Sequence, residues 1–475
     1  MYHKTLILLI SFLITFSLKS QDFSYDKKIG AEAALQVEQM MGTYPDSVLS
    51  AYVNQVGQRL VAELGTIPLE FRFHVVDMPE PNAFALPGGY IYVSRGILSL
   101  MNDEDELAGV MGHEMIHVTK RHSIKQMKQG IIPGILKIPG ALIGGLVNED
   151  LGRIINAPVN FGSAMFMSSY SRKQEREADE LGVKIASEAG YDPAKLSGVL
   201  KNLAAEMERE SGEEEKKSYF SSHPYTPKRV EDIDEKAPLL SWEPRPPIEE
   251  RDGLYKKLDG MVIGPNPAQG VFEENVFRHP DLDIAITFPE EWETMNVPVA
   301  VLATQPDGNG QIFLGADNQS LKPDSLGPLF AQMLEEKYDI KPDQSKSIDV
   351  NGFQGYVVSF KDLSGKAPVD IQLYWITTEH VLLTIAGMGY SSYSLTLANA
   401  AKSLRPLTAG EKNNITAVRI RLVEAQENET LQSFSERTGN VWDVETTALM
   451  NGIDQSRSIQ AGTVIKIAKK EPYNN

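Results

Sequence analysis

The chain has 475 residues, 42% of them hydrophobic and 23% charged, which is enough for roughly three domain cores and excludes disorder over most of its length. Its 64 acidic and 46 basic residues leave a net charge of -18, which opposes capture of nucleic acid, and a mean hydropathy of -0.24 excludes a multi-span membrane protein. The absence of cysteine removes disulfides, thiolate nucleophiles and thiolate metal sites, so any bound metal must be held by imidazole and carboxylate.

Met1 to Lys4 carry one lysine, Leu6 to Leu18 are thirteen apolar or hydroxyl residues, and small and polar Ser20-Gln21-Asp22 follow. This is signal-peptide anatomy over residues 1–20 and implies export. The alternative is an uncleaved anchor, for which the run is shorter than the ~20 residues a spanning helix needs. Residues 21–250 read as a first, mainly helical domain. Leu35, Val37 and Met40, then Leu49, Val53, Val56 and Leu60, recur at helical spacing on either side of Pro45-Asp46 and predict two helices.

Leu69 to Asp77 and Tyr90 to Val93 have strand character, and Asn82 to Gly89 between them ends in two glycines suited to a tight turn, so a hairpin-like element is expected. Asn102 and the acidic run Asp103 to Glu106 start a helix that should continue to about Lys128. Gly130 to Val147 is apolar but broken by prolines and glycines, and is expected to be a mobile cover. Ser171 and Gln174 form a capping box for a helix that stops at Gly190, and Asp192-Pro193 opens another that ends in the charged run Glu206 to Lys217. The proline-rich Ala237 to Ile248 closes this domain. A linker over 251–276, an α+β module of unknown role over 277–408, and a strand, two short helices and a strand over 415–470 complete the expected organisation.

The helix after Asn102 contains His113-Glu114-Met115-Ile116-His117. Its two imidazoles, one turn apart, reach a single tetrahedral ion, and Glu114 beside them can take a proton from metal-bound water. Gly109 and Gly112 in the same helix point to close packing there. Zinc needs a third ligand, and the Ser171 helix offers Glu175 with Asp179 on one face or Glu177 on another; spacing alone does not choose between them. His122 lies off the ligand face of an uninterrupted helix and reads as structural, while His74, His279 and His380 have no partners at ligand spacing.

These residues resemble metallopeptidase family forty-eight, the zinc gluzincins that include HtpX-like and BepA-like periplasmic proteases. Asn82 to Ser94 is similar to that family's strand before the zinc helix, His113 to Ser123 to its H-E-x-x-H-x-x-x-x-H-S, and Glu175 to Asp179 to its E-x-x-x-D. The resemblance implies one Zn2+ held by His113, His117 and Glu175, with Asp179 behind the ligands. It also implies that His223 and Arg229, in His223-Pro224-Tyr225-Thr226-Pro227-Lys228-Arg229, lie beside the metal. There they either donate hydrogen bonds to the oxyanion of the reaction or, in the case of His223, occupy the open zinc position and hold the enzyme latent. Asn82, Ala83, Phe84 and Ala85 would be part of an edge that pairs with an extended substrate, the alternative being an interior hairpin.

The segment 415–470 resembles a LysM-type module, although Glu429 stands where that pattern has aspartate and its leading tyrosine is absent. The expected fold class is therefore α+β: a mainly helical gluzincin-type metallopeptidase domain with a small sheet, an α+β module and a small βααβ LysM-like domain. The expected function is an exported zinc metalloendopeptidase using metal-activated water, acting on unfolded or misassembled proteins in the periplasm of a Gram-negative bacterium, in solution or at a membrane, as part of envelope protein quality control. The alternative is a latent zinc-site scaffold or chaperone that docks to peptidoglycan or outer-membrane assembly factors.

Overall fold

The computed structural model describes residues 22–129, 169–210, 219–246, 248, 253–298, 300–317, 322–363, 367–455 and 458–473. The expected signal peptide and the apolar stretch Gly130 to Val147 lie outside the described residues. Helices α1 (Ser24–Met41) and α2 (Ser47–Val61) come first. Asp46 caps α2 by accepting from the backbone N–H groups of Val48 and Leu49 at 3.0 and 2.9 Å.

A three-stranded sheet follows, made of β1 (Arg72–Val76), β2 (Ala83–Leu86) and β3 (Tyr90–Ser94) in the order β1-β3-β2. The hairpin joins β2 to β3, whereas β1 runs parallel to β3. Its turn needs glycine: Gly89 has φ 105°, and a Cβ there would stand 2.3 Å from the Glu70 carbonyl oxygen. After α3 (Arg95–Leu100), the zinc-motif segment is α4 (Glu104–Thr119), capped by the Asp103 carboxylate.

The single helix expected to reach Lys128 is in fact two. Arg121 takes a left-handed conformation, φ 56°, and α5 (His122–Lys128) restarts beyond it. The conformation is tied down by Asp26 of α1, which accepts from Arg121 Nε at 2.8 Å and pairs with its Nη2, while the guanidinium lies over the Phe23 ring. Helix α6 (Arg172–Glu188) has the predicted capping box of Ser171 and Gln174, and α7 (Lys195–Glu210), α8 (Tyr219–Ser222) and α9 (Pro227–Lys236) complete the layer.

Residues 293–390 contain a seven-stranded antiparallel sheet in the spatial order 344–350, 353–362, 369–377, 382–390, 310–317, 300–304, 293–297. The helix Pro323–Tyr338 covers one apolar face, and Ser394–Lys402 with a small sheet over 271–287 covers the other. Strands Thr416–Glu424 and Val464–Pro472 pair antiparallel around helices Leu431–Thr438 and Val444–Asn451, a βααβ unit.

The stretch expected to be a linker is built into the fold. Gly253–Leu258 is helical, and Val262–Ile263 adds a third strand to the C-terminal sheet. Buried Arg95 and Asp77 dictate this. Arg95 Nη1 donates to the Val262 carbonyl at 2.9 Å, and Asp77 accepts from Asn266 and Gln269 at 2.6 and 2.7 Å, so charges taken out of water find their partners in this segment.

Helices α4 and α6 approach closely in the first domain. A Cβ on Gly182 would lie 2.7 Å from the His113 nitrogen, and one on Gly112 2.9 Å from the Gly182 carbonyl oxygen. The backbones therefore nearly touch one residue before the first motif histidine. Gly182→Ala is expected to push the helices apart at a cost of about 1–3 kcal/mol, read as a lower urea midpoint, and to reduce metal retained on dialysis.

Candidate metal centre

The one-turn spacing on α4 brings His113 Nε2 and His117 Nε2 to 3.0 Å from each other. Glu175, from the first turn of α6, places Oε1 3.4 Å from His117 Nε2 and Oε2 3.7 Å from His113 Nε2. His223, which follows α8, places Nδ1 3.3 Å from both His113 Nε2 and Glu175 Oε1. One ligand atom from each of these four residues lies within 4.8 Å of the others, and all four residues are buried.

Ligands at 2.0–2.1 Å from a tetrahedral zinc stand about 3.4 Å apart, and the distances above, 3.0 to 3.7 Å, bracket that value. The chemistry of the donors agrees. His113 Nδ1 is 2.9 Å from Asp179 Oδ1, so the ring proton belongs on Nδ1 and the lone pair of Nε2 faces the cluster. Lone pairs from several imidazoles and a carboxylate converge without a proton to share between them, an arrangement that one Zn2+ satisfies. Glu114 is fully buried next to them, and neither of its carboxylate oxygens has a hydrogen bond among the described residues.

Burial sets the protonation states. It pushes the Glu114 carboxyl well up, helped by the charge of Glu175, and raises Glu175 to about 7. It pulls His117 well down, with His113 adding to the effect, and takes His223 to about 3 with help from the Arg229 charge. Both rings are therefore neutral at pH 7, as ligands must be. Burial also works against ionised Asp179, but hydrogen bonds from Arg229 and His113 hold it at about 2.

Arg229 is not an available oxyanion donor. Its Nε and Nη2 donate to Asp179 at 2.8 and 2.7 Å, its Nη1 is 2.8 Å from Glu175 Oε2, and Nη1 also reaches the carbonyls of His223 and Pro224 at 3.4 Å. With its donors engaged, the guanidinium clamps the ligands in place. Of the two carboxylates left open by spacing, Glu175 is in the cluster, while Glu177 is partly exposed and faces His122 and Lys120.

Strand β2, with Ala83, Phe84 and Ala85, is at the edge of its sheet in the described residues and is buried, and the Ala83 backbone lies against the His223 ring. Asn82, just before it, donates its backbone N–H to Ser94 Oγ at 2.9 Å. His74 stacks on Tyr92 in the sheet, and His279 and His380 are in the middle module. Sequence reasoning missed two aromatic walls, Tyr170 stacked on His117 at 3.8 Å and Tyr219 stacked on His223 at 4.4 Å. The only signal was that Tyr219 precedes His223 by one helical turn. His122, read as structural from the sequence, is outside the four-residue group, and its Nδ1 lies 3.0 Å from His117 Nδ1.

Residues 47–237 match peptidase family M48. The chain is 33% identical over 223 residues to the mitochondrial metalloendopeptidase OMA1 of Schizosaccharomyces pombe, covering 45% of this chain and 61% of that protein. It is 28% identical over 207 residues to the beta-barrel assembly-enhancing protease of Escherichia coli, covering 42% of each. It is 29% identical over 189 residues to the metalloprotease LoiP of the same organism, covering 39% of this chain and 68% of that protein. The chain thus spans less than two thirds of the first two relatives. Glycine-tight packing of α4 on α6, the imidazole pair and the buried Glu175–Asp179–Arg229 cluster all fall inside residues 47–237, the part of the chain that matches peptidase family M48.

Proposed function

We propose that this protein is an exported zinc endopeptidase of the bacterial cell envelope that hydrolyses unfolded or misassembled proteins. The observation that carries the reading is a buried carboxylate without a hydrogen-bond partner, Glu114, next to a His113–His117–Glu175 ligand set. Bound zinc supplies a Lewis acid for the scissile carbonyl and makes water more acidic. Glu114 takes the proton of the attacking water and returns it to the leaving amine; a carboxyl raised by burial suits a group that must hold a proton midway. Asp179 and Arg229 fix the ligands and take no part in proton transfer. Edge strand β2 offers its backbone to an extended peptide.

His223 holds the remaining corner of the ligand set. A site with four protein ligands is closed, whereas hydrolytic zinc sites keep one position open, so this arrangement is the latent form of the enzyme. The turn that bears His223 must withdraw before substrate enters. The same closed set favours a second reading, a latent zinc-site scaffold or chaperone. The name of the Escherichia coli relative, a beta-barrel assembly-enhancing protease, supports a protein quality-control role linked to the assembly of β-barrel proteins. Among the described residues no helix is long and apolar enough to cross a membrane. The βααβ unit at 415–470 supports a LysM-like module docking to peptidoglycan, although its Glu429 is occupied internally by Arg437 at 2.8 Å and the Gln426 N–H at 2.7 Å.

The test measures zinc content and cleavage of an unfolded protein on the same preparations. Glu114→Gln is expected to keep one zinc per chain and lose about 10²–10⁴-fold in cleavage rate, and His223→Ala to cleave faster than the parent. Cleavage by Glu114→Gln at the parent rate sinks the mechanism, and zinc without turnover in His223→Ala favours the scaffold. Zinc affinity should also depend on pH. The Glu175 carboxyl, raised to about 7 in the metal-free protein, is protonated below that pH, so the proton competes with the metal there. Apparent affinity is expected to fall by about tenfold per pH unit below 7 and to level off above it as far as this group is concerned, measured by competition with a chromophoric chelator.

A further inference from the structure

Only one nitrogen of His117 faces the ligand cluster. The other, Nδ1, lies 3.0 Å from Nδ1 of His122, and His122 Nε2 lies 3.3 Å from Glu177 Oε2. Both rings are buried, and Glu177, partly exposed, has Lys120 Nζ 3.5 Å from its other oxygen. A lone pair on His117 Nε2 requires the ring proton on Nδ1, which then donates to His122 Nδ1. That leaves the His122 proton on Nε2, where it donates to Glu177. A single assignment of tautomers satisfies every contact, with no donor facing a donor.

The backbone is arranged to allow this. On an uninterrupted helix, His122 would sit five positions past His117, about 140° around the axis, and could not reach it. The left-handed Arg121 breaks the helix and swings the His122 ring back against His117. A non-glycine residue in that conformation is strained. Here the ion pair with Asp26 and the Phe23 ring beneath the guanidinium hold it.

We infer that His122 is a positioning residue for the zinc ligand His117, setting its tautomer and ring plane through Nδ1, with Glu177 orienting His122 in turn. The inference rests on the metal assignment and extends it outward by two residues, to the surface. Partners behind metal-bound imidazoles are worth 10–100-fold in metal affinity.

The test uses the full chain and reads zinc affinity by chelator competition, the visible spectrum of the Co2+-loaded protein and thermal unfolding of the metal-free protein. His122→Asn places an amide oxygen near the position of Nδ1 and can still accept from His117, whereas His122→Leu fills the space without an acceptor. His122→Leu is expected to bind zinc about 10–100-fold more weakly and to shift the cobalt bands, and His122→Asn to stay within about threefold of the parent with unshifted bands. Should the leucine variant fail to fold, Glu177→Ala at the exposed end decides, with about a threefold or greater loss of affinity expected at unchanged unfolding temperature. Equal zinc affinity in the leucine and asparagine variants, or an unaltered affinity in Glu177→Ala when that variant has to decide, overturns the inference alone. A parent chain that takes up no zinc overturns the metal assignment and this inference together.

Discussion

One guanidinium holds the site together. Arg229 bridges Asp179 and Glu175 on α6 and reaches the carbonyls of His223 and Pro224, so a single side chain ties the ligand helix, the third ligand and the His223 turn. Burying ions is costly unless each charge has a partner, and breaking such a set by removing one member costs about 3–5 kcal/mol. Within the cluster Arg229 balances Asp179. Glu175 shares that guanidinium but has no cation of its own, and Glu114 is buried without a hydrogen bond among the described residues. A divalent cation at the point where the imidazole lone pairs meet would favour the ionised forms of both carboxylates.

The motif was legible because its chemistry is local. An i, i+4 pair of histidines shares a face whatever the rest of the chain does, and the Ser171 cap located α6 without tertiary information. The choice of Glu175 over Glu177 was not local. Both are on the same helix, and what decides is which face of α6 meets α4, fixed by the contact of Gly112 with Gly182. The role of Arg229 was hidden for a similar reason, since sequence gives a donor but not the acceptors already using it. His122, five residues beyond His117, would face away from the ligands on a continuous helix and is brought back only by the break at Arg121. The break at Arg121 depends on Asp26, 95 positions earlier, and no window of sequence around the motif contains that information.

The domain boundaries were read from prolines and charge, which mark where regular elements stop but not where segments dock. Residues 262–269 looked like a spacer yet supply partners to buried Arg95 and Asp77. Lys466, far along the chain, is fully buried, and its Nζ donates to the carbonyls of Ser99 and Met101 at 3.0 and 2.6 Å, immediately before α4 begins. Burial takes that ammonium down to about 7, a cost accepted only because the two carbonyls end α3 and would otherwise lack donors. The C-terminal unit is therefore part of the platform on which the zinc-motif helix stands.

Under the proposed function, release of the latent form falls on His223. His223 is neutral, stacked face to face on Tyr219 and buried, so withdrawing it would sacrifice a ring contact and apolar burial, and with zinc bound the proposed ligand bond as well. Its backbone is held by the Tyr219 carbonyl at 3.0 Å, and the Arg229 guanidinium grips the turn on the other side. In the proposed enzyme an extended substrate would offset those losses by contacts of its own, starting at edge strand β2, whose Ala83 backbone lies against the His223 ring. Opening and substrate binding then draw on the same strand. On that proposal the energy that displaces the histidine would come from the bound peptide, and a folded protein that cannot present an extended segment would leave the site shut.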